Sequence, residues 1–97
     1  MRLLCDAEMR VANAFGKDEI AEFGATFAGK RPDILLRNGA LVEVKAGGML
    51  KFEQLGDFVN TGRPLLYYFG RTPTSVAQQA LAGYTPPIPW LRIPWYW

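Results

Sequence analysis

The chain has no histidine and only one cysteine, Cys5, in 97 residues. The first absence removes every mechanism that needs an imidazole, including Ser-His-Asp triads, histidine-ligated metal nucleases and paired-histidine acid–base catalysis. The second excludes an internal disulfide and a thiolate metal site, and Cys5 reads as a small buried side chain. No apolar run approaches the roughly 18–20 residues that span a bilayer, so no membrane partner is expected. Charge of one sign is scarce as well. A net charge of +2 is too small to mark a nucleic-acid binder by itself. The length suits one hydrophobic core and not two. A single domain over residues 1–97 is expected, with a core of about 2–83 and a Pro/Trp-rich tail over 84–97.

What the chain does have is charge in an unusual place. Arg31-Pro-Asp-Ile-Leu-Leu-Arg-Asn-Gly-Ala-Leu-Val-Glu-Val-Lys45 is two short apolar runs joined at Asn38-Gly39, a strong hairpin signal. Asp33, Glu43 and Lys45 interrupt the runs. With a two-residue turn at Asn38-Gly39, Asp33 would pair with Val44 and each face would mix charge with aliphatic side chains. A three-residue loop, Arg37-Asn38-Gly39, slips the register by one and exchanges the faces. Asp33 then faces Glu43, with Leu35, Leu41 and Lys45 on the same side, while Ile34, Leu36, Ala40, Val42 and Val44 form a face with no polar side-chain atom. The second register separates a dry face from a charged one and is the one expected, with positive φ at Gly39.

Residues 2–16 have the period of an amphipathic helix, with Leu4, Ala7, Val11, Ala14 and Phe15 inward and Gly16 as C-cap. Glu8 breaks the pattern by lying on the apolar line. It either reaches out to water from the boundary or reaches the acidic face of the hairpin. Ile20–Ala28 alternates as a half-buried strand, with Phe23, Ala25 and Phe27 on one side. After the hairpin, a helix is predicted over about 49–61 with Phe52, Leu55 and Val59 as its core stripe. Lys51, Gln54 and Phe58 form the neighbouring ridge, and Gly62 and Pro64 end the helix. Leu65–Phe69 reads as a central strand buried on both faces. Thr72-Pro73 would open a short helix, about 73–82, with Val76, Ala77, Ala80 and Leu81 inward. The tail is too Pro-rich for a central strand and too aromatic for disorder. It would lie extended across the domain and bury some of its indoles, or present an exposed patch to a partner. The order α-β-β-β-α-β-α implies an α/β fold in which a mixed central sheet is flanked by helices.

Directly opposed carboxylates have Cβ atoms about 5 Å apart and repel when both are ionised. A divalent cation resolves the repulsion. Mg²⁺ takes one or two carboxylates and leaves its other positions to water and phosphate oxygens. Lys45, on the same face about 7 Å further along the strand, could orient an attacking water or stabilise charge developing at phosphorus. Gln54 could hydrogen-bond to the water or a phosphate. Lys30, Arg31 and Lys51 crowd around the hairpin as candidate phosphate contacts. Acting singly, these residues would be ordinary surface charges. Together they point to hydrolysis of a phosphodiester.

Pro32-Asp33 followed by Glu43-Val44-Lys45 resembles the signature of the PD-(D/E)XK nuclease superfamily, whose restriction-endonuclease-like core is αβββαβ. The resemblance covers residues 2–82. Gln54 with Phe58 four residues later is similar to the Gln-x-x-x-Tyr motif of RecB-like members, with Phe in place of Tyr. The resemblance implies Mg²⁺ (or Mn²⁺) held by Asp33, Glu43 and the Val44 carbonyl, with Lys45 as catalytic lysine, and Glu8 as the first-helix acid and a further candidate ligand. Leu41–Lys45, the helix Phe52–Thr61 and Gly62–Phe69 also resemble C-terminal nuclease domains of bacterial polymorphic toxins, such as contact-dependent inhibition and type VI effectors. That resemblance implies a DNase domain secreted as part of a larger effector, acting in the target-cell cytoplasm and neutralised by a cognate immunity protein. Otherwise a cytoplasmic location is expected. The alternatives are a tRNA-cleaving RNase of the same fold, a repair or junction nuclease, and a non-catalytic module that binds nucleic acid or protein.

Overall fold

The loop Arg37-Asn38-Gly39 sets the register of the hairpin. Gly39 takes φ +92°, a left-handed conformation that side chains disfavour. Its N–H donates to the Leu36 carbonyl at 3.0 Å, and the Leu36 N–H donates to the Ala40 carbonyl at 2.9 Å. The Asn38 side chain accepts from the Ala40 N–H at 2.9 Å, the local bond that suits Asn to turns. The structure is a computed structural model describing residues 6–24 and 31–93. Leu4 and Cys5 of the expected first helix, Ala25–Ala28 of the first strand, Lys30 and tail residues 94–97 lie outside the described residues.

The elements are α1 (Asp6–Phe15), a 3₁₀ turn (Lys17–Glu19), β1 (Ile20–Phe23), β2 (Ile34–Leu36), β3 (Leu41–Lys45), α2 (Phe52–Val59), β4 (Leu65–Phe69), α3 (Ser75–Ala82) and β5 (Trp90–Arg92). The five strands form one mixed sheet in sequence order. β1, β2 and β3 pair antiparallel, whereas β3, β4 and β5 run parallel. Parallel neighbours need a crossover, and α2 and α3 supply the two. The described residues thus make an α/β fold with three helices and a mixed sheet, in which no helix is long and apolar enough to cross a membrane.

Ile34 pairs with Val42 and Leu35 with Leu41, the register expected of a three-residue loop. The dry face therefore exists. Ile34, Leu36, Ala40, Val42 and Val44 are buried together with Ala7 and Val11 of α1, and with Tyr68 and Ile93. On the other face Leu55 and Phe58 of α2 and Ala77 and Leu81 of α3 pack on Leu41, Leu65, Tyr67 and Phe69. β4 alternates between these two cores and is largely buried on both sides. Burying a side chain such as Phe58 or Leu55 contributes about 1.5–3 kcal/mol.

The structure differs from expectation where apolar residues outnumber buried positions. In α2 the buried residues are Leu55 and Phe58, whereas Phe52 is 52% exposed and Val59 only partly covered. The core stripe is thus rotated toward Phe58, a residue that the sequence spacing alone sets on the Gln54 ridge. In α1, Ala14 is exposed. In α3, Val76 faces solvent, and the cap is Thr74, not Thr72. Thr74 Oγ1 accepts from the Ala77 N–H at 3.1 Å. Pro73 lies one residue outside the cap, tight against Gly48, where an added Cβ would lie 2.4 Å from the Thr72 carbonyl oxygen. Part of the tail, Trp90–Arg92, is a strand at the sheet edge, where proline neighbours are tolerated.

Gly39→Ala should destabilise the fold by about 1–2 kcal/mol, seen as a Tm lower by several degrees. Its new Cβ would meet only the movable Arg63 Nη1 at 3.4 Å, so the cost is that of the backbone conformation. Gly56→Ala should have the opposite sign, because Gly56 is inside α2 and an added Cβ meets nothing within 4 Å. A gain of about 0.5–1 kcal/mol is expected there. Equal effects from the two substitutions would contradict the assigned turn.

Candidate functional site

Pro32, fully buried, holds the chain extended into β2. Carrying the observed register one residue back from Ile34↔Val42 sets Asp33 opposite Glu43. One residue further back, Pro32 lies opposite Val44. Proline has no N–H, so it cannot donate to the Val44 carbonyl as a ladder partner would. The Val44 N–H donates to Asp33 Oδ2 at 2.7 Å, and the Asp33 N–H donates to Glu43 Oε1 at 3.2 Å. The motif thus replaces part of the ladder with bonds from backbone to carboxylate. These bonds orient both acids.

Lys45 and Gln54 complete the group. Lys45 follows Glu43 by two residues, so both project from one face of β3. Its Nζ lies 3.2 Å from Glu43 Oε2 and donates to Gln54 Oε1 at 2.8 Å. α2 carries Gln54 over the strand from the first half of the crossover. The Lys45 side chain is 16% exposed, and Glu43 as a whole is 3% exposed. Burial pushes the Glu43 carboxyl up to about 8, and the Asp33 charge and hydrogen bond push the same way, with Lys45 opposing in part.

Sequence reasoning missed Tyr67, which it treated only as part of an apolar strand. β4 pairs Tyr67 with Glu43, and the ring is fully buried. Its hydroxyl has no partner among the described residues. Burial, followed by the Glu43 charge, holds the phenol well above its ordinary value. The only signal was the pair of tyrosines, Tyr67 and Tyr68, in an otherwise apolar strand. A parallel register has no turn to fix it, so the pairing with Glu43 was not legible.

The remaining candidates are dispersed. Glu8 does not reach out to water; it is 6% exposed. It is carried by α1, which packs on the face opposite the Glu43 side chain. Among the described residues no three Asp, Glu, Cys or His side chains converge closely enough to hold a metal, so Glu8 is not brought to Asp33 and Glu43 as a third ligand. Arg31 is exposed just before Pro32, and Lys51 is exposed at the N-cap of α2. Lys30 lies outside the described residues. Pockets of about 410 and 470 Å³ lie elsewhere, one between α1 and β1 and one beside the Pro86–Pro89 segment. Neither includes a residue of the carboxylate–lysine group.

The donor set suits a hard divalent cation. Two carboxylates and the Val44 carbonyl, which has no proline N–H to accept from, are all oxygen donors. No family model, characterised protein or solved structure matches the chain.

A carboxyl whose pKa is higher folded than unfolded holds its proton more tightly in the folded state. Its contribution to stability is therefore complete below about 4.5 and lost as pH rises through about 8. Metal-free protein should lose Tm over that window, and Glu43→Gln, neutral at every pH, should flatten the loss and melt several degrees higher at the alkaline end. Added Mg²⁺ should stabilise the wild type there and leave the variant nearly unmoved. Parallel pH profiles for the two proteins would rule out the assigned environment of Glu43.

Proposed function

We propose that the chain is a Mg²⁺- or Mn²⁺-dependent endonuclease of PD-(D/E)XK type that hydrolyses DNA phosphodiesters. The observation that carries this reading is the hydrogen-bonded group Asp33–Glu43–Lys45–Gln54, assembled on one face of the hairpin and its crossover helix. The order of elements and the mixed sheet support it, being similar to the αβββαβα restriction-endonuclease-like arrangement.

Asp33, Glu43 and the Val44 carbonyl would hold the cation. When bound, the ion supplies Lewis-acid polarisation of the phosphoryl oxygen and acidifies water at neutral pH. The chain's own work is positioning. The backbone bonds at Asp33 and Val44 keep the carboxylates from turning away. Lys45 spends two of its three N–H donors on Glu43 and Gln54 and has one left for a water or a non-bridging phosphate oxygen. An ammonium held in this way offsets charge that grows at phosphorus, and it needs no reorganisation to do so. Gln54 acts through Lys45 as a positioning residue. The group lies at the rim where β3 ends, not in either pocket, which suits a polymer laid across the surface better than an engulfed small ester.

The toxin assignment rests on the resemblance of Leu41–Phe69 to effector nuclease domains. It makes the chain part of a larger secreted protein with an immunity protein as its partner, acting in the target-cell cytoplasm.

Purified protein should nick plasmid DNA with Mg²⁺ or Mn²⁺ and stop with EDTA. Asp33→Asn, Glu43→Gln and Lys45→Ala should each lower the rate at least about a hundredfold, and Gln54→Ala roughly tenfold. Production of the wild-type chain in bacterial cytoplasm should arrest growth, and Lys45→Ala should relieve the arrest. Unchanged cleavage by all three site variants would sink the assignment. Cleavage of tRNA but not plasmid would move the substrate to RNA.

A further inference from the structure

Register lays one polar row across the charged face of the sheet. Asp33 lies opposite Glu43, one residue before Ile34↔Val42, and Glu43 pairs on its other side with Tyr67. Paired residues of adjacent strands project from the same face, with the strands about 4.7–4.9 Å apart. Tyr67 therefore stands beside Glu43, on the side away from Asp33. The rows next to it begin Leu41–Leu65 and Lys45–Phe69, and the ring belongs to the core that Leu55 and Phe58 of α2 complete. The residue is fully buried, yet its hydroxyl has no hydrogen-bond partner among the described residues. Phenylalanine would fill the same apolar space, and an unpaired buried hydroxyl costs about 1–3 kcal/mol. The core accounts for the ring and not for its oxygen.

We propose that Tyr67 is a positioning residue for Glu43 as a cation ligand, its hydroxyl joined to the carboxylate through one internal water. The inference rests on the cation site of the nuclease reading. A carboxylate has about four lone-pair sites. At Glu43 the Asp33 N–H takes one, 3.2 Å from Oε1, and Lys45 takes another, its Nζ 3.2 Å from Oε2. A bound cation takes a third. The fourth is left to a donor from the β4 side, where Tyr67 stands. The Glu43 charge acts on the phenol ahead of the Asp33 charge, as their order in the row requires. A water belongs between the two side chains because no direct bond joins them. A buried water needs two to four polar partners. Glu43 and Tyr67 supply two, and Tyr84, whose phenol also acts on Tyr67, is close enough to be a third. Hydrogen bonds behind a ligating carboxylate fix its direction, and losing one typically weakens metal binding about 10–100-fold. Tyr67 is covered by the core, so it reaches the reaction only through Glu43.

The test is a calorimetric titration of the full chain with Mn²⁺. Tyr67→Phe keeps the ring and removes the oxygen, so the variant should fold as wild type does and bind Mn²⁺ about tenfold more weakly. On plasmid, the Mg²⁺ concentration for half-maximal nicking should rise by a similar factor, whereas kcat at saturating Mg²⁺ should stay within about twofold of wild type. Tyr68→Phe removes a hydroxyl from the core on the opposite face and should leave Mn²⁺ affinity unchanged. Wild-type Mn²⁺ affinity in Tyr67→Phe would overturn the proposal, as would equal losses in the two variants or a wild type that binds no Mn²⁺. Weaker Mn²⁺ binding by Tyr67→Phe, in a protein that cleaves no nucleic acid, would keep Tyr67 at the cation site and remove the nuclease reading. Normal Mg²⁺-dependent cleavage with Tyr67→Phe neutral would do the reverse.

Discussion

Two carboxylates set face to face on paired strands, one of them buried, must be compensated, and the structure of the hairpin follows from that constraint. Asp33 and Glu43 repel if both ionise. Three things oppose the repulsion: backbone N–H groups of Asp33 and Val44 aimed at the carboxylate oxygens, the Lys45 ammonium at 3.2 Å, and a Glu43 carboxyl pushed up to about 8. The backbone bonds and the opposition of Asp33 to Glu43 depend on the three-residue loop, whereas Lys45 reaches Glu43 along its own strand. A slip of one residue would turn Asp33 toward α1 and set an aliphatic residue against Glu43.

Pro32 has a second consequence beyond extending the chain. Opposite Val44 in the register, it withdraws a ladder donor at the point where a cation would need an acceptor. The Val44 N–H, which a regular ladder would aim at the Pro32 carbonyl, donates to Asp33 Oδ2 instead, so the missing proline donor leaves the Val44 carbonyl free while the Val44 N–H orients the carboxylate. The parallel pairing of β3 with β4 then requires a crossover, and α2 returns over the charged face with Gln54 at 2.8 Å from Lys45. Proline, carboxylates, lysine and glutamine thus reach one place through local rules of strand pairing and crossover.

Those rules explain which parts were legible. The hairpin register was readable because its two options give chemically different faces, one dry and one charged, and the observed pairs Ile34↔Val42 and Leu35↔Leu41 decide between them. The α/β class followed from the alternation of periods. The phase of α2 was not readable: Phe52, Leu55, Phe58 and Val59 are more apolar residues than one stripe can bury, and only packing against β3 and β4 selects Leu55 and Phe58. Thr72 is the favoured cap in sequence because proline follows it, whereas Thr74 is the cap that forms, with the 72–73 backbone set tight against Gly48. β5 was hidden because its three residues lie in a proline-rich tail with no alternation long enough to read.

The exposed position of Phe52 and the buried charge of Glu43 are two sides of one arrangement. α2 must press Leu55 and Phe58 into the sheet to cover Tyr67 and Phe69, and that rotation also sets Gln54 over Lys45. On a helix with this phase, Gln54 lies about 70° to one side of the line through Leu55 and Phe58 and Phe52 about 90° to the other, so the two residues flank the buried stripe on opposite sides. An aromatic at position 52 is therefore driven into solvent by the same geometry that assembles the lysine and glutamine.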